Sequence, residues 1–245
     1  MPPAARRRAA LLDGAAARPR AVLLDIEGTI APMSYVHECL FPYARARLAD
    51  FLSRHAGEPD IAAALAALDP VAPGASPLET LLDLMDRDAK IGPLKLIQGR
   101  IWAEGFAAGA LTSVFYPDVL PTLHAWHASG VTLAIYSSGS EAAQRLLFRH
   151  APTGDESRLI AAHFDTAIGA KRDPASYQAI AHRLGSPAPD ILFLSDSAAE
   201  LTAADAAGLA VCQIVRPQDA TPASPSHPHA EDLTGVARRF GLSQP

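Results

Sequence analysis

The sequence predicts an α/β fold: a doubly wound, mostly parallel Rossmann-like sheet with a helical cap inserted after the first strand. Three observations predict it. Five short segments, most of them near-continuous apolar runs, read as strands covered on both faces. Helical patterns separate the last four runs, the alternation that gives parallel pairing. Between the first and second runs there is no convincing strand, only helical patterns.

The five runs are residues 21–26, 131–136, 164–168, 191–195 and 210–215. The segment 118–128 places Val119, Leu120, Leu123 and Trp126 at helical spacing, and Gly130 ends it. Residues 140–150 carry Ala143, Leu146 and Leu147 on a helical pattern. The segment 173–184 opens on Asp173 as N-cap, with Pro174 at the first helical position, and stops at Gly185. Residues 197–207 form a further helix ended by Gly208. In the long interruption, 44–55, 60–68, 78–90 and 95–107 read as helices, punctuated by Pro70, Pro73, Gly74 and Pro77.

These elements divide the chain into a flexible tail at 1–19, an α/β core at 20–33 and 112–245, and a helical cap at 34–111. The cap is expected over the strand ends, where open α/β sheets place their ligands. The stretch 217–229, rich in Pro, Ser and His, reads as a loop.

Bulk properties narrow the function. A length of 245 residues suits one core domain with an insertion. Hydrophobic residues make up 49%, enough for a sizeable core and too many for a disordered chain. The formal net charge of −5 gives no basic surface for nucleic acid. Cys39 and Cys212 build neither a disulfide framework nor a zinc site, which suits a reducing, cytoplasmic setting. No apolar run approaches the roughly 20 residues that span a bilayer, so no membrane partner is expected. Arg6, Arg7 and Arg8 loosely imitate a targeting peptide, but Asp13 interrupts the short apolar stretch after them. Nothing demands more than a monomer.

Chemistry collects at the strand ends. The first strand leads into Asp25-Ile26-Glu27-Gly28-Thr29. Two acids so close repel unless a cation sits beside them. A carboxylate can attack phosphorus to form an aspartyl-phosphate, and a second acid can protonate the leaving oxygen and then activate water. Gly28 permits a tight turn, and Thr29 can bond across it. The second strand ends in Tyr136-Ser137-Ser138-Gly139-Ser140 before a helix, where hydroxyls and free N–H groups make either an anion site or an ordinary serine cap. Lys171 follows the third strand, either as a point charge for phosphate or as a solvated loop lysine. Asp196 follows the fourth, either completing a magnesium site with Asp25 or capping the next helix. Glu200 reads as a helix-start or supporting acid rather than a ligand. One edge of a parallel sheet would gather all four clusters, which favours phosphoryl transfer.

The order Asp-x-Glu-Gly-Thr, Ser-Ser, Lys, Asp resembles the haloacid dehalogenase superfamily of phosphatases. More narrowly, the sequence is similar to the enolase-phosphatase (acireductone synthase) family. The resembling stretches include Leu40-Phe41-Pro42-Tyr43, Gln98-Gly99-Arg100-Ile101-Trp102 and Tyr116-Pro117-Asp118-Val119 as well as the four clusters. Glu27 is the specific feature, because most phosphatases of the superfamily carry Asp there.

The resemblance implies enolisation of 2,3-diketo-5-methylthiopentyl-1-phosphate, then hydrolysis to an acireductone and phosphate, in methionine salvage. It implies one Mg2+ per active site, held by Asp25, Glu27 through its backbone carbonyl, and Asp196. It implies Asp25 as nucleophile, Glu27 as acid/base, and Ser137, Ser138 and Lys171 as ligands of the substrate phosphate, with Lys171 also balancing charge. The only expected partner is a small-molecule phosphate. Alternatives are a magnesium-dependent phosphatase of another small phosphate ester and a non-catalytic phosphometabolite-binding module. The family usually follows the first motif with further Thr or Ser, where this chain has Ile30-Ala31.

Overall fold

The computed structural model describes residues 18–69, 71–72 and 74–245. All but the last two residues of the tail read at 1–19 lie outside them, as do Pro70 and Pro73. The chain forms two compact units. Of the described residues, one comprises 18–32, Phe115–Ser137 and Ser157–Pro245; the other comprises Met33–Val114 and Ser138–Glu156.

Along the chain run β1 (Ala21–Leu24), a π-helical segment at Tyr35–Leu40, α1 (Phe41–His55), α2 (Pro59–Ala66), α3 (Pro77–Asp86) and α4 (Gly92–Ala107). Next come α5 (Val119–Ala128), β2 (Thr132–Tyr136), α6 (Glu141–Arg149), β3 (Ala162–Phe164), α7 (Pro174–Leu184) and β4 (Ile191–Ser195). The described chain ends with α8 (Ala198–Ala206), β5 (Ala210–Ile214), β6 (His229–Ala230) and α9 (Leu233–Phe240).

In the first unit the strands pair in the order β3-β2-β1-β4-β5-β6, every pair parallel. β1 lies at the centre, and all four of its residues are buried. This explains its unbroken apolar sequence: a central parallel strand has no face turned to water. Leu24 is level with Ile135 of β2 and with Leu194 of β4. The order of the strands reverses between β1 and β4, the switch point at which such sheets open a crevice beyond their C-terminal ends. One face of the sheet packs Leu23, Tyr136 and Phe193 against Tyr177 and Ile180 of α7 and Leu201 and Ala204 of α8. The Tyr177 ring meets both Tyr136 and Phe193 edge-on. Asp173 caps α7 by accepting the Ala175 N–H at 2.9 Å.

Two local expectations are corrected, and one helix is added. The third strand is Ala162–Phe164, not 164–168. The Asp165 carboxylate accepts the Ala167 N–H at 2.7 Å, and the Asp165 carbonyl accepts the Ile168 N–H at 3.1 Å. This turn withdraws the chain from the sheet as soon as Phe164 is placed. The segment 217–229 is a loop for most of its length, but its end starts β6, which adds a short parallel edge to β5. α9 is not read in the sequence; Asp232 caps it and Leu233, Val236, Ala237 and Phe240 bury its apolar face.

The second unit has its own core, with Leu48 and Phe51 of α1, Ile61 of α2, Leu81 of α3, and Ile97 and Ile101 of α4. Ser76 and Glu79 form a reciprocal capping box that starts α3. α6 falls in this unit because Ala143 and Leu146 pack against the same core. The helical unit therefore takes in residues 112–114 and 138–156, beyond the 34–111 read from sequence.

Candidate active site

Asp25 directly follows β1, and its backbone N–H still donates to Leu194 of β4 at 2.9 Å. That ladder bond fixes the residue at the switch point. The side chain is buried. Oδ1 accepts the Ile26 N–H at 2.8 Å and lies 2.6 Å from Lys171 Nζ. Oδ2 lies 3.0 Å from the Ser195 hydroxyl. Both oxygens are held, and the carboxylate has one orientation.

The chain then turns sharply. The Ile26 carbonyl accepts the N–H groups of Thr29, Ile30 and Ala31, and Gly28 donates back to Ala31. Gly28 sits at φ +68°, in the left-handed region that favours glycine. The turn brings Thr29 against the end of β4, where its hydroxyl accepts the Asp196 N–H at 3.0 Å. Ile30 and Ala31 are fully buried, so these two positions contribute packing to the sheet unit.

Lys171 reaches Asp25 from a braced loop. Tyr136 donates to the Gly169 carbonyl, Ser176 to Ala170 and Tyr177 to Lys171. Its ammonium is buried and lies 2.6 Å from Asp25 Oδ1 and 2.7 Å from Glu200 Oε2. Burial alone would lower its pKa, but Asp25 and Glu200 outweigh that and raise it above the ordinary lysine value. It is a permanent buried cation, not a solvated loop lysine.

Asp196 follows β4. Ser197 is the N-cap of α8 and no side-chain bond caps that helix, so the Asp196 carboxylate is not consumed by capping. Burial first, and the charge of Asp25 second, push its pKa up to about 6. Burial and Asp25 likewise push Glu200 up to about 7, opposed by Lys171. The Lys171 ammonium thus contacts Asp25 and Glu200, and its charge also acts on Asp196.

Ser137 is buried beyond the end of β2, one strand from Asp25, and its N–H donates to Phe164 at 3.2 Å. Ser140, not Ser137, caps α6, accepting the Ala143 N–H at 3.3 Å. Ser138 is next in the chain to Ser137 but belongs to the helical unit. Glu27 is half-buried and lies opposite Ala31, which accepts from Gly28 and donates to Ile26 on either side of it.

Sequence reasoning missed two residues. Ser195, read only as the last strand residue, bridges Asp25 and Glu200. Its signal was a hydroxyl closing an otherwise apolar run. Arg216 is buried and donates through Nε and Nη2 to the Thr29 carbonyl at 3.0 and 2.7 Å. It also grips Asp118 with both ends of its fork, at 2.7 and 3.2 Å. Asp118, expected to start a helix, spends its carboxylate on Arg216 and on the Leu233 N–H.

A parallel sheet with an acid pair and a buried lysine at its switch point defines a hydrolase core. A family model described as haloacid dehalogenase-like hydrolase matches residues 19–208, and the chain belongs to that family. It is 65% identical over 228 residues to Enolase-phosphatase E1 of Acidiphilium cryptum, a match covering 93% of this chain and 98% of that protein. It is 52% identical over 221 residues to Enolase-phosphatase E1 of Gluconacetobacter diazotrophicus, covering 90% and 94%. Among solved structures, the UTR4 protein of Saccharomyces cerevisiae superposes with a TM-score of 0.73 at 29% identity, covering 87% of this chain and 98% of that one.

Hydrolases of this family are generally metal-dependent. Among the described residues no group of three or more His, Cys, Asp or Glu side chains forms a metal cage. The residues still fit a hard cation. Two carboxylates at the switch point, Asp25 and Asp196, leave negative charge that Lys171 alone does not balance. One or two carboxylates, completed by water and substrate oxygens, is the donor set magnesium takes.

Proposed function

We propose that this chain is an enolase-phosphatase of methionine salvage, converting 2,3-diketo-5-methylthiopentyl-1-phosphate to acireductone and phosphate. The observation that carries it is the buried Asp25–Lys171 contact at the β1–β4 switch point, with Asp196 beside it. The full-length similarity to relatives named Enolase-phosphatase E1 supports the particular substrate.

In this reading Asp25 is the nucleophile. Its carboxylate forms a bond to phosphorus as the bond from phosphorus to the enol oxygen breaks, and that oxygen takes the electron pair. Glu27 supplies the proton to the departing oxygen and then takes one from the water that cleaves the aspartyl-phosphate, which restores both acids. Ser137, and Ser138 after it in the chain, donate hydrogen bonds to the phosphate. Lys171 holds Asp25 in its attacking orientation and offsets phosphate charge. Asp25, Asp196 and the Glu27 carbonyl would hold one Mg2+, which would supply positive charge to offset that of the phosphate. The helical unit is the cap, the part that selects among phosphate esters. The enzyme acts as a cytoplasmic monomer, a setting its two free cysteines suit.

The test is turnover of the diketone phosphate with and without Mg2+, following acireductone absorbance and phosphate together. Both signals rising only with Mg2+ is the expected result. Phosphate released with no enol signal leaves a phosphatase of another ester, and no turnover of any phosphate ester leaves a binding module.

A further inference from the structure

Ser195 closes β4 and is fully buried. Its Oγ lies 3.0 Å from Asp25 Oδ2 and 3.1 Å from Glu200 Oε2, and it accepts the Ser197 N–H at 3.1 Å. A serine hydroxyl carries one proton, so it can donate to only one of these carboxylates at a time. On the other side, Lys171 Nζ also touches both acids, at 2.6 and 2.7 Å. Asp25 and Glu200 are thus bridged twice. The ammonium serves both at once; the hydroxyl must choose.

We propose that Ser195 is a positioning residue whose hydroxyl donates to Asp25 while that carboxylate is charged and turns to Glu200 once Asp25 has become an ester. The inference rests on the aspartyl-nucleophile reading. A hydrogen bond to a charged acceptor is roughly twice as strong as one to a neutral acceptor. Before attack, Asp25 is a full carboxylate and competes for the proton. Bond formation to phosphorus removes that charge, and Glu200, held by Lys171 and charged above about pH 7, becomes the stronger acceptor. The hydroxyl only rotates: no covalent bond at Ser195 changes and no proton leaves it. The effect is to hold the Asp25 carboxylate in place for attack and to keep Glu200 satisfied afterwards. Glu200, four residues past Asp196, therefore acts through Lys171 and Ser195 without touching substrate.

The experiment is single-turnover and steady-state kinetics of Ser195→Ala, Ser195→Thr and Glu200→Gln on the diketone phosphate with Mg2+, with acid-quenched phosphoenzyme measured throughout. Ser195→Ala is expected to slow phosphoenzyme formation about 10–100-fold, the scale of a misplaced nucleophile, with KM within about twofold. Ser195→Thr, which keeps the hydroxyl, should recover most of that loss. Glu200→Gln keeps the shape but offers no charged acceptor, so the steady-state phosphoenzyme fraction should fall.

Wild-type formation in Ser195→Ala overturns the proposal. So does an equal loss in the Ala and Thr variants at unchanged Tm, or an undiminished phosphoenzyme fraction in Glu200→Gln should the Thr variant not fold. Asp25→Asn, run in parallel, separates the two levels. If it still forms phosphoenzyme, the nucleophile reading fails. If it does not, while Ser195→Ala matches wild type, only the present inference fails.

Discussion

A β-carbon placed on Gly28 would lie 2.8 Å from Asp196 Oδ2. The loop leaving β1 therefore leans directly on the carboxylate leaving β4, and the absent side chain is the space that lets it do so. The turn's φ of +68° independently favours glycine there. Gly28→Ala is expected to destabilise the fold by about 1–3 kcal/mol, the usual cost of a strained backbone position. It should also lower kcat by about 100-fold, because the displaced carboxylate is one of the two acids assigned to the metal. Urea unfolding and a Mg2+ titration of activity read both effects. Activity unchanged beside lowered stability would separate Asp196 from the metal.

Lys171 is predicted to be irreplaceable by arginine. Its pocket holds a compact ammonium against two carboxylates at 2.6 and 2.7 Å, and a planar guanidinium cannot fit the same buried point. Lys171→Met and Lys171→Arg should both lose about 100–1,000-fold in kcat. Steady-state kinetics check this, and an active Arg variant would show that charge alone suffices.

Buried Arg216 and half-buried Asp118 form a second ion pair that holds the Thr29 carbonyl and the start of α9. Arg216→Met leaves Asp118 uncompensated and should cost about 3–5 kcal/mol. Arg216→Met combined with Asp118→Leu should cost clearly less than the sum of the single changes. Urea denaturation of the four proteins measures this, and strict additivity would contradict the pairing.

Much of the fold was legible because its strands are buried on both faces. The runs at 21–26 and 191–195 read as buried strands, and Asp25 and Asp196 stand out as the acids at their ends, although the first strand stops at Leu24, before Asp25. Lys171 was visible as a lysine but not as a buried one, since its burial depends on a loop braced by Tyr136, Ser176 and Tyr177. Arg216 was silent because Thr29 and Asp118 lie far away in the chain, and the hydroxyl of Ser195 carried no sign of its contact with distant Asp25. β6 escaped because two residues carry no periodicity, and β3 was misplaced because the Asp165 turn overrides the apolar run.

The pH dependence of the metal-free protein follows from two carboxyls. Asp196 is pushed up to about 6 and Glu200 to about 7, both above the usual carboxylate range. At these two carboxyls the folded chain therefore binds more protons than the unfolded chain between about pH 4 and 7. Their contribution to stability is present at low pH and lost as pH rises through those values. In chelator, Tm should fall between about pH 5 and pH 8, and Asp196→Asn should flatten the slope. Adding Mg2+ at the higher pH should raise Tm again, by binding the charged form. Scanning calorimetry tests it; an Asp196→Asn slope equal to wild type would contradict the assignment.

The most direct measurement is acid quench of the protein during turnover of the diketone phosphate with Mg2+, followed by mass spectrometry of the peptide containing Asp25. The account predicts a phosphoryl adduct on Asp25 that forms and decays at rates compatible with kcat and is absent from Asp25→Asn. An adduct on another residue, or full turnover by Asp25→Asn, would contradict it.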